Sequence, residues 1–284
     1  MNNILLLTDF TELSEYAKEL AGKIAFGLNA QLHVLNVVEI SSEVLLNENG
    51  EILSSMGSDN EELDNQKQEA LVKMEEWKNN LPGSTITSVK FGQLLECTSN
   101  YIKKESIDLV VMGSHGIDGV KEKLSGSIAQ QVILSNRVPV LSLKCNRDNL
   151  DFSDFLVTGD FASKERMNLE VLKSLQKVFN SKFHLLCINT KNKFRSTADS
   201  LERMRGFAKR NELENVEFHV HNDNSVEEGI INFANNYDAT HDLEIDIIAV
   251  EKKNKSTLEY WFTGCEAISF VNHVYRPIIT YLSE

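Results

Sequence analysis

The stretch Asn29-Ala-Gln-Leu-His-Val-Leu-Asn-Val37 returns 151 residues later, without a gap, as Asn180-Ser-Lys-Phe-His-Leu-Leu-Cys-Ile188. The same offset lays Asp9-Phe10 on Asp160-Phe161. A second match pairs Ile107-Asp-Leu-Val-Val-Met112 with Ile245-Asp-Ile-Ile-Ala-Val250 at an offset of 138. That offset also carries Gly126 onto Gly264 and Pro139 onto Pro277. The chain has only three prolines, so two at equivalent positions point to an internal duplication. The offsets differ by 151 − 138 = 13, which places extra residues in the middle of the first copy.

Each copy alternates strand and helix. In the first, Asn3–Thr8, Gln31–Val38, Thr85–Phe91, Ile107–Met112 and Pro139–Lys144 read as short apolar strands. Glu12–Gly27, Glu61–Asn79, Leu94–Lys104 and Ser127–Leu134 read as helices. Leu63, Ala70, Leu71, Met74 and Trp77 form the expected inner face of the charged second helix. The second copy repeats the order. Its strands are Phe155–Thr158, Lys182–Ile188, Val216–Val220, Asp246–Val250 and Pro277–Leu282. Its helices are Lys164–Phe179, a segment around Leu201–Lys209, Val226–Asn235 and Glu266–Val271. Near-continuous apolar strands between helices imply an α/β fold with a mainly parallel sheet covered on both faces. The domains are 1–147 and 151–284, joined by the short polar segment Asn146–Asp154. At 284 residues, two domains also match the length prior.

Composition narrows the function. Lys and Arg number 29 against 42 Asp and Glu, a net charge of −13. Nucleic-acid affinity needs clustered cations, so this balance argues against it, although backbone amides can still hold a small anion. No apolar run approaches the ~18 residues of a membrane span. The N-terminus lacks a basic segment, and its apolar run stops at Asp9, so it reads as a strand rather than a signal peptide. Cys97, Cys145, Cys187 and Cys265 are widely spaced, which fits a reducing cytoplasm and gives no zinc or disulfide pattern. No metal site is expected. The segment Glu39–Asp64 holds eight acidic residues and no Lys or Arg. It reads as an exposed excursion or as a lid over a site.

The strongest chemical signal follows the strand ending at Met112. Gly113-Ser-His-Gly116 is followed after nine residues by Gly126-Ser127, which opens a helix. Gly113 and Gly116 permit close backbone approach. A helix N-terminus opened by Gly126-Ser127 favours an anion through its free amides and dipole. The alternative is a tight turn with no ligand. Asp9, where the first strand gives way to its helix, reads as an N-cap or as an acceptor for ribose hydroxyls at the carboxyl end of the sheet. Neither G-x-x-x-x-G-K-[ST] nor G-x-G-x-x-G occurs.

Together, Leu5-Leu-Leu-Thr-Asp9-Phe-Thr11, Val34-Leu-Asn-Val-Val38, Gly113-x2-Gly116-x9-Gly126-Ser127 and Val138-Pro-Val-Leu141 resemble the universal stress protein family in its tandem two-domain form. The resemblance implies two Rossmann-like, HUP-type domains. Each would have a five-stranded parallel sheet in the order 3-2-1-4-5. It implies that the two domains pair through their last strands, Pro139–Lys144 and Pro277–Leu282, and a homodimer is compatible with it. It also implies an adenine nucleotide, ATP with or without Mg2+, in the first domain. Asp9 would lie near ribose and adenine, Val37 against the base, and Met112 and Gly113 beside the nucleoside. Backbone at His115, Gly116, Gly126, Ser127 and Ile128 would hold the phosphates. His115 stands where many relatives carry Arg or Lys.

The second copy departs from the motif. Glu251 replaces the first glycine, Asn254 the second and Cys265 the serine, and only Gly264 persists. A carboxylate about 4 Å from a phosphate charge costs roughly 4 kcal/mol at an effective dielectric of 20, so ATP is not expected there. Lys252, Lys253 and Lys255 read as a solvated basic loop, the alternative being a site for another anion. Cys265 reads as an inert small residue or as a thiol activated at a helix start. The expected function is a cytoplasmic, nucleotide-binding stress-response regulator. The alternative is a non-nucleotide interaction protein with both sites vestigial. No catalytic residue stands out, so a dedicated enzyme is not expected, while slow ATP hydrolysis or self-phosphorylation is compatible with the family.

Overall fold

The computed structural model describes residues 1–39, 44–46, 52–55, 60–82, 84–113, 128–143, 150–164, 167–241, 244–253 and 276–283. Its contacts divide the chain into two compact units, Met1–Ser114 and His115–Glu284.

The first unit runs β1 (Asn3–Thr8), α1 (Glu12–Leu28), β2 (Gln31–Glu39), β3 (Val44–Leu46), β4 (Ile52–Ser55), α2 (Asn60–Asn79), β5 (Ile86–Gly92), α3 (Leu94–Lys104) and β6 (Leu109–Gly113). Its main sheet has the order β6-β1-β2-β5, with every pair parallel. β1 sits centrally because Ile4, Leu5, Leu6 and Leu7 are all buried, as a strand covered on both faces requires. α1 buries Ala17, Leu20, Ala21 and Ile24, the i, i+3, i+4, i+7 face of an amphipathic helix. It ends at Asn29 with φ 51°, the left-handed cap that asparagine tolerates better than most residues. The acidic segment Glu39–Asp64 contains β3 and β4, which pair antiparallel.

The second unit runs α4 (Ile128–Ser135), β7 (Val140–Leu143), β8 (Asp154–Thr158), α5 (Glu170–Phe179), β9 (Lys182–Asn189), α6 (Thr197–Arg210), β10 (Val216–Asn222), α7 (Val226–His241), β11 (Ile247–Lys253) and β12 (Ile278–Ser283). The strands of the second copy follow β10-β9-β8-β11-β12, which is the order 3-2-1-4-5, and all four neighbouring pairs are parallel. β7, the last strand of the first copy, pairs antiparallel with β12, Leu141 opposite Ile279. The Val140 amide donates to Thr280 Oγ1 at 3.0 Å across this pair. A core of Leu156, Leu186, Ile230, Ala234, Ile245, Ile248, Val250 and Ile278 fills the space under α7.

The duplication reaches single dihedral angles. Phe10 and Phe161 both sit at positive φ, 62° and 49°, and Asn29 and Asn180 both at 51°. The Asp108 carboxylate accepts from the amides of Asn2 and Asn3, and the Asp246 carboxylate accepts from those of Ser153 and Asp154.

Three expectations need correction. Leu71 is 42% exposed, so the buried face of α2 narrows to Ala70, Met74 and Trp77, while the Leu63 side chain lies outside the described residues. The helix expected from Lys164 begins only at Glu170, because Asn168 is held in a bridge to Leu282. Lys252 is neither a solvated cation nor an anion ligand. It is buried on β11, and its ammonium donates to the carbonyls of Ile133 and Asn136 at the end of α4. A cation there complements the negative end of the helix. The expected helix Glu266–Val271 and the readings of Asn254, Lys255, Gly264 and Cys265 lie outside the described residues.

Candidate functional site

β1, β2 and β6 run parallel, with Thr8 opposite Asn36 and Leu7 opposite Met112. Asp9, Val37 and Gly113 therefore stand at the carboxyl ends of three adjacent strands, where open α/β sheets bind ligands.

Asp9 is held in a tight turn. Its Oδ1 accepts from the Thr11 amide at 3.0 Å, the Thr11 hydroxyl at 2.6 Å and the Ser14 hydroxyl at 2.7 Å. Among the described residues these three bonds all converge on Oδ1. Partial burial pushes the carboxyl pKa up, but the bonds from Thr11 and Ser14 outweigh it and hold the group below its ordinary value. The carboxylate is thus charged at neutral pH and held within its turn. The helix N-cap is Thr11, which makes no side-chain capping bond, so Asp9 orders the turn before α1 rather than capping it. Phe10 takes the left-handed conformation in that turn, with its ring edge-on to Trp77 at 5.3 Å. A bulky residue there is strained, and such strain persists only where the surroundings enforce it.

The neighbouring residues differ in what they offer. Val37 is half-buried. Met112 is 3% exposed, so its side chain belongs to the core. Gly113 has a packing reason of its own: a Cβ there would meet the Leu13 carbonyl carbon and oxygen at 2.7 Å. The close approach of α1 to β6 requires glycine whether or not a ligand binds. His115, Gly116, Gly126 and Ser127 lie outside the described residues. Ile128 opens α4 in the second unit with its side chain 43% exposed.

Sequence reasoning missed Asn36. Its amide nitrogen donates to Thr8 O at 2.9 Å, while its buried Oδ1 has no hydrogen-bond partner among the described residues. A polar residue within the apolar run Leu32–Val38 was the available signal. Its equivalent in the second copy is Cys187.

The second copy keeps part of this geometry. Asp160 Oδ1 accepts from the Ala162 amide at 2.9 Å, as Asp9 does from Thr11. At the position of Gly113 stands Glu251, which is buried and lies opposite Tyr281. Burial pushes the Tyr281 hydroxyl far above its ordinary pKa, helped by the charges of Glu251 and Asp160, and it donates to Thr158 O at 2.8 Å.

The universal stress protein family model matches residues 1–144. The chain belongs to the universal stress protein family. Two family members from Methanocaldococcus jannaschii each align with half of the chain. One is 31% identical over 147 residues, 50% of this chain and 81% of the relative. The other is 33% identical over 152 residues, 50% of this chain and 93% of the relative. The tandem form is seen in a solved universal stress protein from Archaeoglobus fulgidus. It matches 99% of this chain and 96% of its own, with TM-score 0.70 and 19% identity. A functionally unknown protein from Pseudomonas aeruginosa matches 100% and 93%, with TM-score 0.55 and 12% identity. These two likenesses establish the tandem α/β fold. No described helix is long and apolar enough to cross a membrane.

Proposed function

We propose that the first copy binds an adenine nucleotide, ATP foremost, and that the chain is a nucleotide-responsive stress regulator rather than a dedicated enzyme. The observation that carries this reading is Asp9: a charged carboxylate held through Oδ1 by Thr11 and Ser14 at the ends of β1, β2 and β6. In this reading Asp9 accepts from the ribose hydroxyls and Val37 lies against the base. The backbone of Met112 and Gly113 borders the nucleoside. Backbone at His115, Gly116, Gly126, Ser127 and Ile128 holds the phosphates, with Mg2+ carried by the phosphates themselves. Binding changes the partner preference of the molecule. The glycine spacing shared with the family's ATP-binding branch supports the reading. Buried Glu251 opposes a phosphate in the second copy, so one nucleotide binds per chain.

Titration calorimetry with nucleotide-stripped protein tests this. ATP should bind at one per chain. Asp9→Asn keeps the Oδ1 acceptor but removes the charge, and should weaken binding by about tenfold or more, the scale of one charge-assisted hydrogen bond. Val37→Trp should weaken it by filling the space for the base. Gly113→Glu is a poor probe because its Cβ strikes α1. No saturable heat from ATP or AMP, or unchanged affinity in both variants, would sink the proposal.

A further inference from the structure

We infer that the second copy carries a metal site for a zinc-class divalent ion, formed by His184 on β9 with Glu217 and His219 on β10. The three side chains bring one ligand atom each into a single cluster. His184 Nδ1 lies 3.0 Å from His219 Nε2 and 3.4 Å from Glu217 Oε2, and His219 Nε2 lies 3.8 Å from the same oxygen. Metal bonds of about 2.0 Å meeting at the tetrahedral angle separate donor atoms by roughly 3.3 Å, so these spacings bracket what one ion needs. Two imidazoles and a carboxylate are a zinc-type donor set with a fourth position left for water.

The surroundings prepare these donors. His184 Nε2 sits 2.8 Å from Asp154 Oδ1. A proton held on that nitrogen by the carboxylate leaves Nδ1 with its lone pair toward His219 and Glu217, the carboxylate–histidine–metal arrangement. Lys182 Nζ binds the other oxygen of Glu217 at 2.9 Å, which fixes the carboxylate while Oε2 faces the histidines. With Asp154 and Glu217 negative and Lys182 positive, the cluster presents a net charge of about −1 to an incoming cation. His184 is fully buried and Phe233 covers His219 at 5.0 Å, so one side is apolar, while Glu217 is 45% exposed and leaves an entry.

The duplication supplies an internal comparison. His33 is the equivalent of His184 and is also buried, but Asn3 stands for Asp154. In register, Ile86 lies opposite His33 as Glu217 lies opposite His184, and Ser88 follows where His219 does. His33 Nδ1 meets the Tyr101 hydroxyl at 3.2 Å instead. The histidine alone therefore serves the fold, whereas the added carboxylates and second histidine belong to the second copy. Bound there, the ion clips β10, at the end of the strand order, to β9.

The full-length chain stripped with chelator and given ZnCl2, then desalted, should retain one zinc per chain by elemental analysis. CoCl2 should give the visible band of a tetrahedral site without thiolate charge transfer. His219→Ala and Glu217→Ala, both on the accessible side, should fold as judged by circular dichroism and lose at least about tenfold in zinc affinity. Asp154→Asn should lose about 10–100-fold. Absence of saturable zinc binding by the wild type would overturn the site and leave a hydrogen-bonded histidine pair only. Equal retention by His219→Ala would overturn it too, since the ion would then lie elsewhere. Neither readout involves nucleotide.

Discussion

At the scale of single residues, charge and backbone shape decide most. Asp9 has its pKa lowered by Thr11 and Ser14. A carboxyl group depressed on folding stabilises the protein above its unfolded pKa of about 3.9, and that contribution is lost as pH falls through the lower folded value. Thermal melts of wild type and Asp9→Asn should therefore differ most near neutral pH and converge in acid, below the lowered folded value. Asn29 and Asn180 predict a matched pair of effects. Both end a helix at φ 51°, so Asn29→Ala and Asn180→Ala should each cost about 1 kcal/mol in denaturant unfolding, with similar values. Asp9 was legible from its place between strand and helix. The partners that orient it were not, because Thr11 and Ser14 are ordinary residues until the turn brings them round. The packing demand at Gly113 was equally hidden, since Leu13 lies 100 positions away (113 − 13).

At the scale of elements, strands and helices followed from apolar spacing wherever one face was buried. α3 matches its expected bounds, and β1 does as well. α2 shows where spacing falls short: both Ala70 and Leu71 fit a helical stripe, yet only Ala70 turns inward. Trp77 carries the packing, edge-on to Phe10 and beneath Lys18 Nζ at 4.5 Å. Trp77→Ala should cost about 3–5 kcal/mol, whereas Leu71→Lys should stay within about 0.5 kcal/mol, both read by urea titration. The late start of α5 escaped the sequence because its cause is the bridge from Asn168 to Leu282, a contact spanning 114 positions (282 − 168). The ligands of the His184 cluster lie on two strands 33 and 35 positions apart, so no local motif announced them.

At the scale of the whole molecule, the repeat was readable because two offsets agreed on rare residues, and the described strand orders repeat with it. β12 covers one edge of β7. Removing residues beyond 147 strips that partner, so the fragment 1–147 should self-associate, with a mass by light scattering that rises with concentration toward a dimer; a monomer at all concentrations would count against this. The pairing of Gly113 with Leu13 has a wider consequence. In the second copy the residue equivalent to Leu13 is Lys164, which precedes the start of α5 at Glu170, and the glycine position is filled by Glu251. The glycine and the helical turn are thus tied as key to lock: neither can be reinstated alone. Replacing Glu251 with glycine would remove a buried side chain without rebuilding the turn. The two halves have diverged along a path that single substitutions do not retrace.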